Sequence, residues 1–441
     1  MEITLDQIEQ YHRHLDVSPM HKLVMNAMGR VDINELAVNR DLVKSIDFSF
    51  SDELTVAPEA TAQQKVGVCW IFAAMNLLRY FTQQKLNVES FEFSGPYLMF
   101  WDKFEKANYF LEKMIAFRDR PYDDRELRQF LGQPLPDGGD WYMFVNLVKK
   151  YGMVPASVMQ HAPYSKDSTT LNEVISSKLR QYAAEIREMA AAGQSLAEIQ
   201  KARETYVQEL YHIMVMCFGS PPLCFNWSYR NKDKSFFREK DITPHAFFEK
   251  YVPVDLDAYA CIWSSPMKDT PYHQTYRVAH TRKMVGGQRN CALNLPYDQF
   301  KAYALKKLKN HEPVLFSCDV GKESLRKEGL LVKGVYNYDL LFQTHFGIAD
   351  KGLRLEMGET SMTHCMLIVG VDLDDDGNPI KWKVENSWGA DVGKKGFFVM
   401  SDEWFDDHVY QLIVPEKYLS DTEREQLTQE PVVLPLWHPM F

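Results

Sequence analysis

The chain has 441 residues, of which 45% are hydrophobic and 25% charged, with a formal net charge of −10. That is the composition of a soluble globular protein, long enough for one insertion-rich domain or two ordinary ones, and its charge argues against whole-molecule affinity for nucleic acid or an anionic membrane. No apolar run approaches the ~20 residues needed to cross a bilayer. The cysteines (69, 217, 224, 261, 291, 318, 365) are odd in number and scattered, with no Cys-x-x-Cys pair, which speaks for a reducing cytoplasm and against a disulfide framework or structural zinc.

At the N-terminus, Met1-Glu2-Ile3-Thr4-Leu5-Asp6 lacks the basic and apolar regions of a secretory signal. Thr4 and Gln7 instead form the pattern of a capping box that opens a helix. Residues 69–85, beginning Cys69-Trp70-Ile71-Phe72-Ala73-Ala74, predict a mostly buried helix entered through a turn at Gly67. Cys69 then falls in the first helical turn, where unbonded N–H groups and the helix dipole favour a thiolate. Gln63, six residues earlier, is placed for its amide to meet an oxyanion beside the Cys69 N–H. Taken alone, the segment fits a buried structural cysteine equally well.

Further along, 171–217 predicts two long helices separated by Ala192-Gly193-Gln194, the second opened by a capping box of Ser195 and Glu198. Leu196, Ile199, Tyr206, Leu210, Ile213 and Cys217 recur at helical spacing, as in a helical hairpin inserted into another fold. Prolines at 221, 222 and 244 break the next stretch into shorter pieces. From about 312 the pattern turns to strands: 313–316, 366–369, 381–386 and 396–400. The cluster Asp374-Asp375-Asp376-Gly377-Asn378 lacks the far-end acidic residue of a calcium loop and reads as a solvated hairpin turn.

Two polar residues stand out within this strand-rich half. His364 opens an apolar strand, an end position from which a side chain can face a cleft. In Glu385-Asn386-Ser387-Trp388-Gly389, Asn386 lies in phase with Trp382 and Val384, so its amide is buried and must find a partner. One ring N–H of His364 would serve, fixing the imidazole for proton transfer with Cys69 while Trp388 shields the bond. Each piece alone is ambiguous; Gln63…Cys69-Trp70, then His364, then Asn386-Ser387-Trp388-Gly389, in that order, is specific.

These motifs resemble the papain-like cysteine peptidases, and the long insertion points to the bleomycin hydrolase and aminopeptidase C family. His364 follows Cys69 by 295 residues, where ordinary papain-like chains have ~130–150. The resemblance runs over essentially the whole chain, through the segments 93–103, 137–143, 225–234, 318–322, 401–405 and 431–440. It implies Cys69, His364 and Asn386 as catalytic residues, with Gln63 as oxyanion donor. It also implies Gly138 and Gly139 as a strip whose backbone pairs with substrate, glycine suiting a place where two backbones approach closely. No cofactor or metal is implied, and the partners are peptide substrates and further copies of the chain, a hexameric barrel in the family.

The expected fold is therefore α+β, a papain-like two-subdomain fold with a helical left part, a β-rich right part, a long helical insertion and a C-terminal arm. The boundaries are an N-terminal arm at 1–55, the nucleophile-bearing helical subdomain at 56–165, and the insertion, a candidate oligomer contact, at 166–285. The β-rich subdomain with His364 and Asn386 comes next at 286–415, and the arm toward the cleft at 416–441. Two departures from the family adjoin catalytic positions: Val66-Gly67-Val68 where Ser-Gly-Arg is usual, and Cys365 where alanine is usual.

The tail, 431–441, reads as extended and apolar, docked along the body. In the family it lies in the cleft, and its terminal carboxylate anchors the substrate amine, a role that falls here to Phe441. The sequence ends about three residues earlier than in relatives, which at ~3.3 Å per extended residue moves that carboxylate roughly 10 Å from the nucleophile. A cytosolic cysteine aminopeptidase is thus expected. A dipeptide- or tripeptide-releasing enzyme or an endopeptidase on the same fold is the alternative, with a nucleic-acid-associating regulatory relative as a third reading.

Overall fold

The stretch that begins at Cys69 forms the helix Cys69–Leu86, which contributes buried side chains from nearly every turn. A helix apolar on all faces has to lie inside the protein, and two more surround this one, Gly95–Ala116 and Trp141–Tyr151. Ser94 caps the first of them through the Tyr97 N–H, with Pro96 in the opening turn, where its missing donor costs nothing. The computed structural model describes residues 1–15, 18–287 and 290–440. Among the described residues no helix is long and apolar enough to cross a membrane.

Against this helical half lies a large mixed sheet. Its middle runs Tyr259–Trp263, Val409–Pro415, Val314–Cys318, His364–Leu373, Pro379–Glu385 and Phe397–Ser401, all neighbours antiparallel. Every residue of the first three is buried, because both faces are covered. Leu315, Leu367, Val369, Tyr410 and Ile413 pack toward the Cys69 helix. Their alternate neighbours Val314, Phe316, Met366, Ile368, Leu412 and Val414 pack toward the helix Tyr297–Lys309. The period of two that sorts these side chains onto opposite faces also carries His364, paired in register with Cys318, to the end of its strand.

The 171–217 segment forms the helices Thr169–Ala191 and Leu196–Phe218, with Gly193 at φ 78° in the turn and the expected Ser195–Glu198 capping box. Both helices pack on Gly95–Ala116, burying Leu179, Tyr182, Ile186, Ile199, Tyr206, Leu210 and Met214. That packing within the chain accounts for the apolar spacing, so the spacing does not call for an oligomer partner. The helices also end sooner than a helical insertion over 166–285 requires. A hairpin, Phe225–Arg230 with Phe236–Ile242, comes after them, then the sheet strands Tyr259–Trp263 and Gln274–Val278. Val174, Leu196 and Met216 stay exposed on the hairpin, and the N-terminal arm exposes more apolar side chains still. Its helices Leu5–His14 and Pro19–Met28 bury no residue, and Leu5, Ile8, Tyr11, Met20, Leu23 and Met25 stay exposed.

One buried ion pair ties the two halves together. Arg79, on the Cys69 helix, donates to Glu385, the residue before Asn386, and both side chains are almost fully buried. Removing one partner of such a pair leaves an uncompensated charge in the interior. Arg79→Met is therefore expected to destabilise the fold by ~3–5 kcal/mol, and the double variant Arg79→Met/Glu385→Leu to recover much of that loss. Urea unfolding of both variants checks this; a single variant as stable as the parent would show that the pair contributes nothing.

Candidate active site

The turn into the Cys69 helix is built by a network centred on Asp137. Its carboxylate accepts from the Gly67 N–H at 3.0 Å, from Ser168 Oγ at 2.8 Å and from Asn172 Nδ2 at 2.8 Å, and it pairs with the buried ammonium of Lys103. The Asp137 carbonyl accepts from Trp70 Nε1 at 3.0 Å. These bonds hold the carboxylate well below its ordinary range despite burial. A Cβ at Gly67 would lie 2.7 Å from the Asp137 Cβ. Gly67 is thus needed for close approach, not for a left-handed turn; the residue with positive φ here is Gln64, at 63°.

Cys69 opens its helix with no side chain capping the first turn, so nearby N–H groups remain for an anion. His364 opens its strand and Asn386 directly follows the adjacent strand Pro379–Glu385; both are buried, with 2.8 Å between His364 Nε2 and Asn386 Oδ1. Asn386 Oδ1 also accepts from the Ser387 N–H at 2.7 Å. It can only accept from the ring, so Nε2 carries the hydrogen there and Nδ1 is left for Cys69. The Trp388 ring lies over the imidazole, centroids 4.8 Å apart. The Cys69 thiol is held well below its ordinary range. The Cys365 thiol, hydrogen-bonded to its sulfur, is the largest cause; the charge and hydrogen bond of His364 act the same way, against burial.

Gln63 is buried, and its amide is already engaged: Nε2 donates to the Val66 carbonyl at 2.6 Å and Oε1 accepts from Ser387 Oγ at 2.6 Å. One N–H of the amide is left for a ligand. Gly138 and Gly139 both line the cleft with Cys69 and His364, but they differ. The Gly138 carbonyl accepts from the buried Lys106 at 2.9 Å, and a Cβ at that position would touch nothing. At Gly139 a Cβ would lie 2.5 Å from the Trp70 ring, so the demand for glycine sits there. Lys106 also donates to Asp102 at 2.7 Å and to the Asp137 carbonyl at 3.1 Å. Ser387, Asp137 and Lys106 are the parts that sequence reasoning missed. Ser387 was visible in the Asn-Ser-Trp-Gly motif, and Asp137 stood directly before the two glycines.

The cleft, about 490 Å³, is lined in part by the tail. Val432–Leu434 adds to the sheet as a parallel strand beside Gln274–Val278. Beyond it the chain is not extended: it turns, with the His438 N–H on the Pro435 carbonyl at 3.0 Å and the Met440 N–H on His438 Nδ1 at 3.2 Å. Leu436, Trp437, His438, Pro439 and Met440 line the cleft, Met440 with no exposed surface. The guanidinium of Arg125 lies 3.7 Å from the Trp437 ring centre, and His438 Nε2 is 3.3 Å from Asp269 Oδ2. Phe441 lies outside the described residues.

Comparison with known proteins gives one consistent result. Residues 2–441 match a family described as Peptidase C1-like. The chain is 39% identical to the aminopeptidase C of Streptococcus thermophilus, over 99% of this chain and 98% of that one. It is 34% identical to the bleomycin hydrolase of Mus musculus, over 99% and 97%. Among solved structures, PepW from Lactobacillus rhamnosis matches with a TM-score of 0.96 at 41% identity, over 100% of this chain and 98% of that one. The α+β, papain-like architecture expected from the motifs is the one these relatives share.

Proposed function

The chain belongs to the Peptidase C1-like family of cysteine peptidases, and on that premise we propose that it is a cysteine aminopeptidase working through Cys69, His364 and Asn386. The observation that carries the reading is the arrangement of the Cys69 sulfur beside an imidazole whose far nitrogen is 2.8 Å from Asn386 Oδ1. The Cys69 thiolate attacks the scissile carbonyl. The oxyanion is met by the Cys69 N–H and the remaining N–H of Gln63. His364, protonated at Nδ1, gives that proton to the leaving amine, and a thioester to Cys69 remains. The same nitrogen then takes a proton from water, whose oxygen displaces the sulfur. Asn386 holds the ring plane throughout, and Gly139 offers its backbone to the substrate.

Aminopeptidase action, as opposed to cleavage within a chain, is supported by the relatives named aminopeptidase C and by the tail residues that line the cleft with Cys69 and His364. Matched peptides with free and acetylated amines test it. The free-amine peptide should turn over faster, and iodoacetamide should abolish turnover while labelling Cys69 first. Because its pKa is depressed, Cys69 keeps its thiolate as the pH falls from ~8.5 toward neutrality. Cys217, whose thiol burial raises, has less thiolate than a free cysteine throughout that window. Equal rates on the two peptides would defeat the aminopeptidase reading, and first labelling at Cys217 or Cys365 would defeat the choice of nucleophile.

The cysteines, odd in number, scattered and without a Cys-x-x-Cys pair, support a cytoplasmic setting. Assembly into a homo-oligomer, hexameric as in the family the sequence resembles, is supported by the exposed apolar side chains of the N-terminal arm. Deleting residues 1–30 should lower the sedimenting mass. A deletion that leaves it unchanged assigns the contact elsewhere.

A further inference from the structure

Cys365 is the residue after His364, and three observations set it against Cys69. Both side chains line the same cleft. The helix Cys69–Leu86 packs on the strand His364–Leu373, and the two thiols are near enough for each to shift the other. Ser317, opposite Cys365 in the strand register, has its Oγ 3.3 Å from the Cys365 sulfur, which fixes the direction of the thiol. Peptide hydrolysis uses the first of these sulfurs and has no step for the second. Neither is in a disulfide.

We propose that Cys69 and Cys365 form a peroxide-reactive thiol pair, a modification site in which Cys365 captures oxidised Cys69 as a disulfide and so switches the peptidase off reversibly. The proposal rests on the reading of Cys69 as nucleophile. A thiolate kept ready for a carbonyl is also the form that hydroperoxides oxidise. The Cys69 sulfur attacks the outer peroxide oxygen, the O–O bond breaks, and Cys69 becomes a sulfenic acid while the alcohol, or water from hydrogen peroxide, leaves. Cys365, deprotonated, then attacks that sulfur; an S–S bond forms and the hydroxyl departs as water. Two thiols and one hydroperoxide give one disulfide, one alcohol and one water. A solvent dithiol reverses the change by two exchange steps.

The timing comes from the same contact. While Cys69 is a thiolate, its charge and hydrogen bond keep the Cys365 proton in place, together with burial. Conversion of Cys69 to the uncharged sulfenic acid removes that hold, so Cys365 becomes nucleophilic only when there is a sulfenic acid to capture. Without a neighbouring thiol, the sulfenic acid would go on to the sulfinic acid, which thiols do not reduce.

The experiment uses the full-length protein. Hydrogen peroxide in several-fold excess is added and removed with catalase. Peptidase activity is then read before and after dithiothreitol, with peptide mapping under non-reducing conditions. The parent protein should lose activity, regain it with dithiothreitol, and yield a Cys69–Cys365 linked peptide two hydrogens lighter than its parts. Cys365→Ala and Cys365→Ser, each first shown to be folded and labelled by iodoacetamide at Cys69, should lose activity that dithiothreitol does not restore, with added oxygens on Cys69. Parental loss that dithiothreitol cannot reverse, equal recovery in the variants, or a disulfide between other cysteines overturns the pair alone. A linked Cys69–Cys365 peptide with activity retained overturns the switch and, separately, the assignment of Cys69 as nucleophile.

Discussion

Cys69→Ala is expected to lower peptidase turnover by a factor on the order of 10⁶, the scale on which a covalent nucleophile is lost from a triad, while the protein stays folded. The two halves of that statement have different causes. Chemically, no other sulfur is placed to replace it. Cys365 is engaged with Ser317 Oγ at 3.3 Å, and Cys318 is buried, with its thiol raised well above the ordinary range. Structurally, the substitution removes one sulfur from the first turn of a helix whose remaining contacts are untouched, and alanine is the best helix former. His364→Ala should cost about as much, and the double variant little more than either single one, since residues that act as a unit lose their effect together. Asn386→Ala should cost less, because the ring remains and only its orientation is loosened. Active-site titration with single-turnover kinetics measures all four. Turnover in Cys69→Ala comparable to the parent would mean that another residue is the nucleophile.

The parts of this site that are legible in sequence are those that a short motif places at the end of an element. Cys69 begins an apolar helix, His364 begins an apolar strand, and Asn386 ends an alternating one; each position can be read from periodicity, and the chain order of the three is specific. Periodicity does not reveal which physical demand a residue answers. Gly67 announces a tight backbone but not its reason, which is the Asp137 Cβ 2.7 Å from where its own would be. Gln63 can be placed near Cys69, but not the bonds to Val66 and Ser387 that leave it one donor. Asp137 looks like an ordinary turn residue, because four of its partners lie 31 to 70 residues away in the chain.

The fold shows the same division. The strands Val314–Cys318, His364–Leu373, Pro379–Glu385 and Phe397–Ser401 alternate or run apolar over several residues and are plain, whereas Val409–Pro415 is not among the segments that the pattern picks out. Phe225–Arg230 interleaves aromatic with polar residues on the rim of a helical region, and Tyr259–Trp263 is a five-residue apolar run that periodicity does not tell from a helix. The helical hairpin is legible as helices, but apolar spacing says only that a face is covered. Here Gly95–Ala116 of the same chain covers it. The docking of the tail can be read from its apolar side chains. Its turn at 435–438 depends on the bond from the His438 N–H to the Pro435 carbonyl, for which the sequence carries no more signal than the proline itself.

That tail supplies the second large effect. Deleting residues 435–441 is expected to raise kcat/KM for an N-acetylated peptide, relative to its free-amine counterpart, by roughly tenfold or more, about 1.4 kcal/mol in transition-state discrimination. The strand Val432–Leu434, which holds the arm to the sheet through Tyr276, Arg277 and Val278, is left in place, so the truncation removes the cleft wall without unpairing the sheet edge. The truncation takes away the group of side chains at 436–440 that lines the cleft shared with Cys69 and His364. A substrate extending past the amine side of the scissile bond then meets open space where it had met Trp437 and Met440. Fully burying a residue such as Met440 contributes about 1.5–3 kcal/mol, so some loss of stability accompanies the deletion. Trp437→Ala, which gives up the Arg125 contact but leaves Met440 in its socket, serves as the milder companion. Rates on both peptides falling together would report damage to the fold, and an unchanged ratio in a folded truncated protein would reduce the tail to a structural strap. A ratio that rises in the truncation, and partway in Trp437→Ala, ties the choice of cleavage site to the part of the cleft that the tail lines.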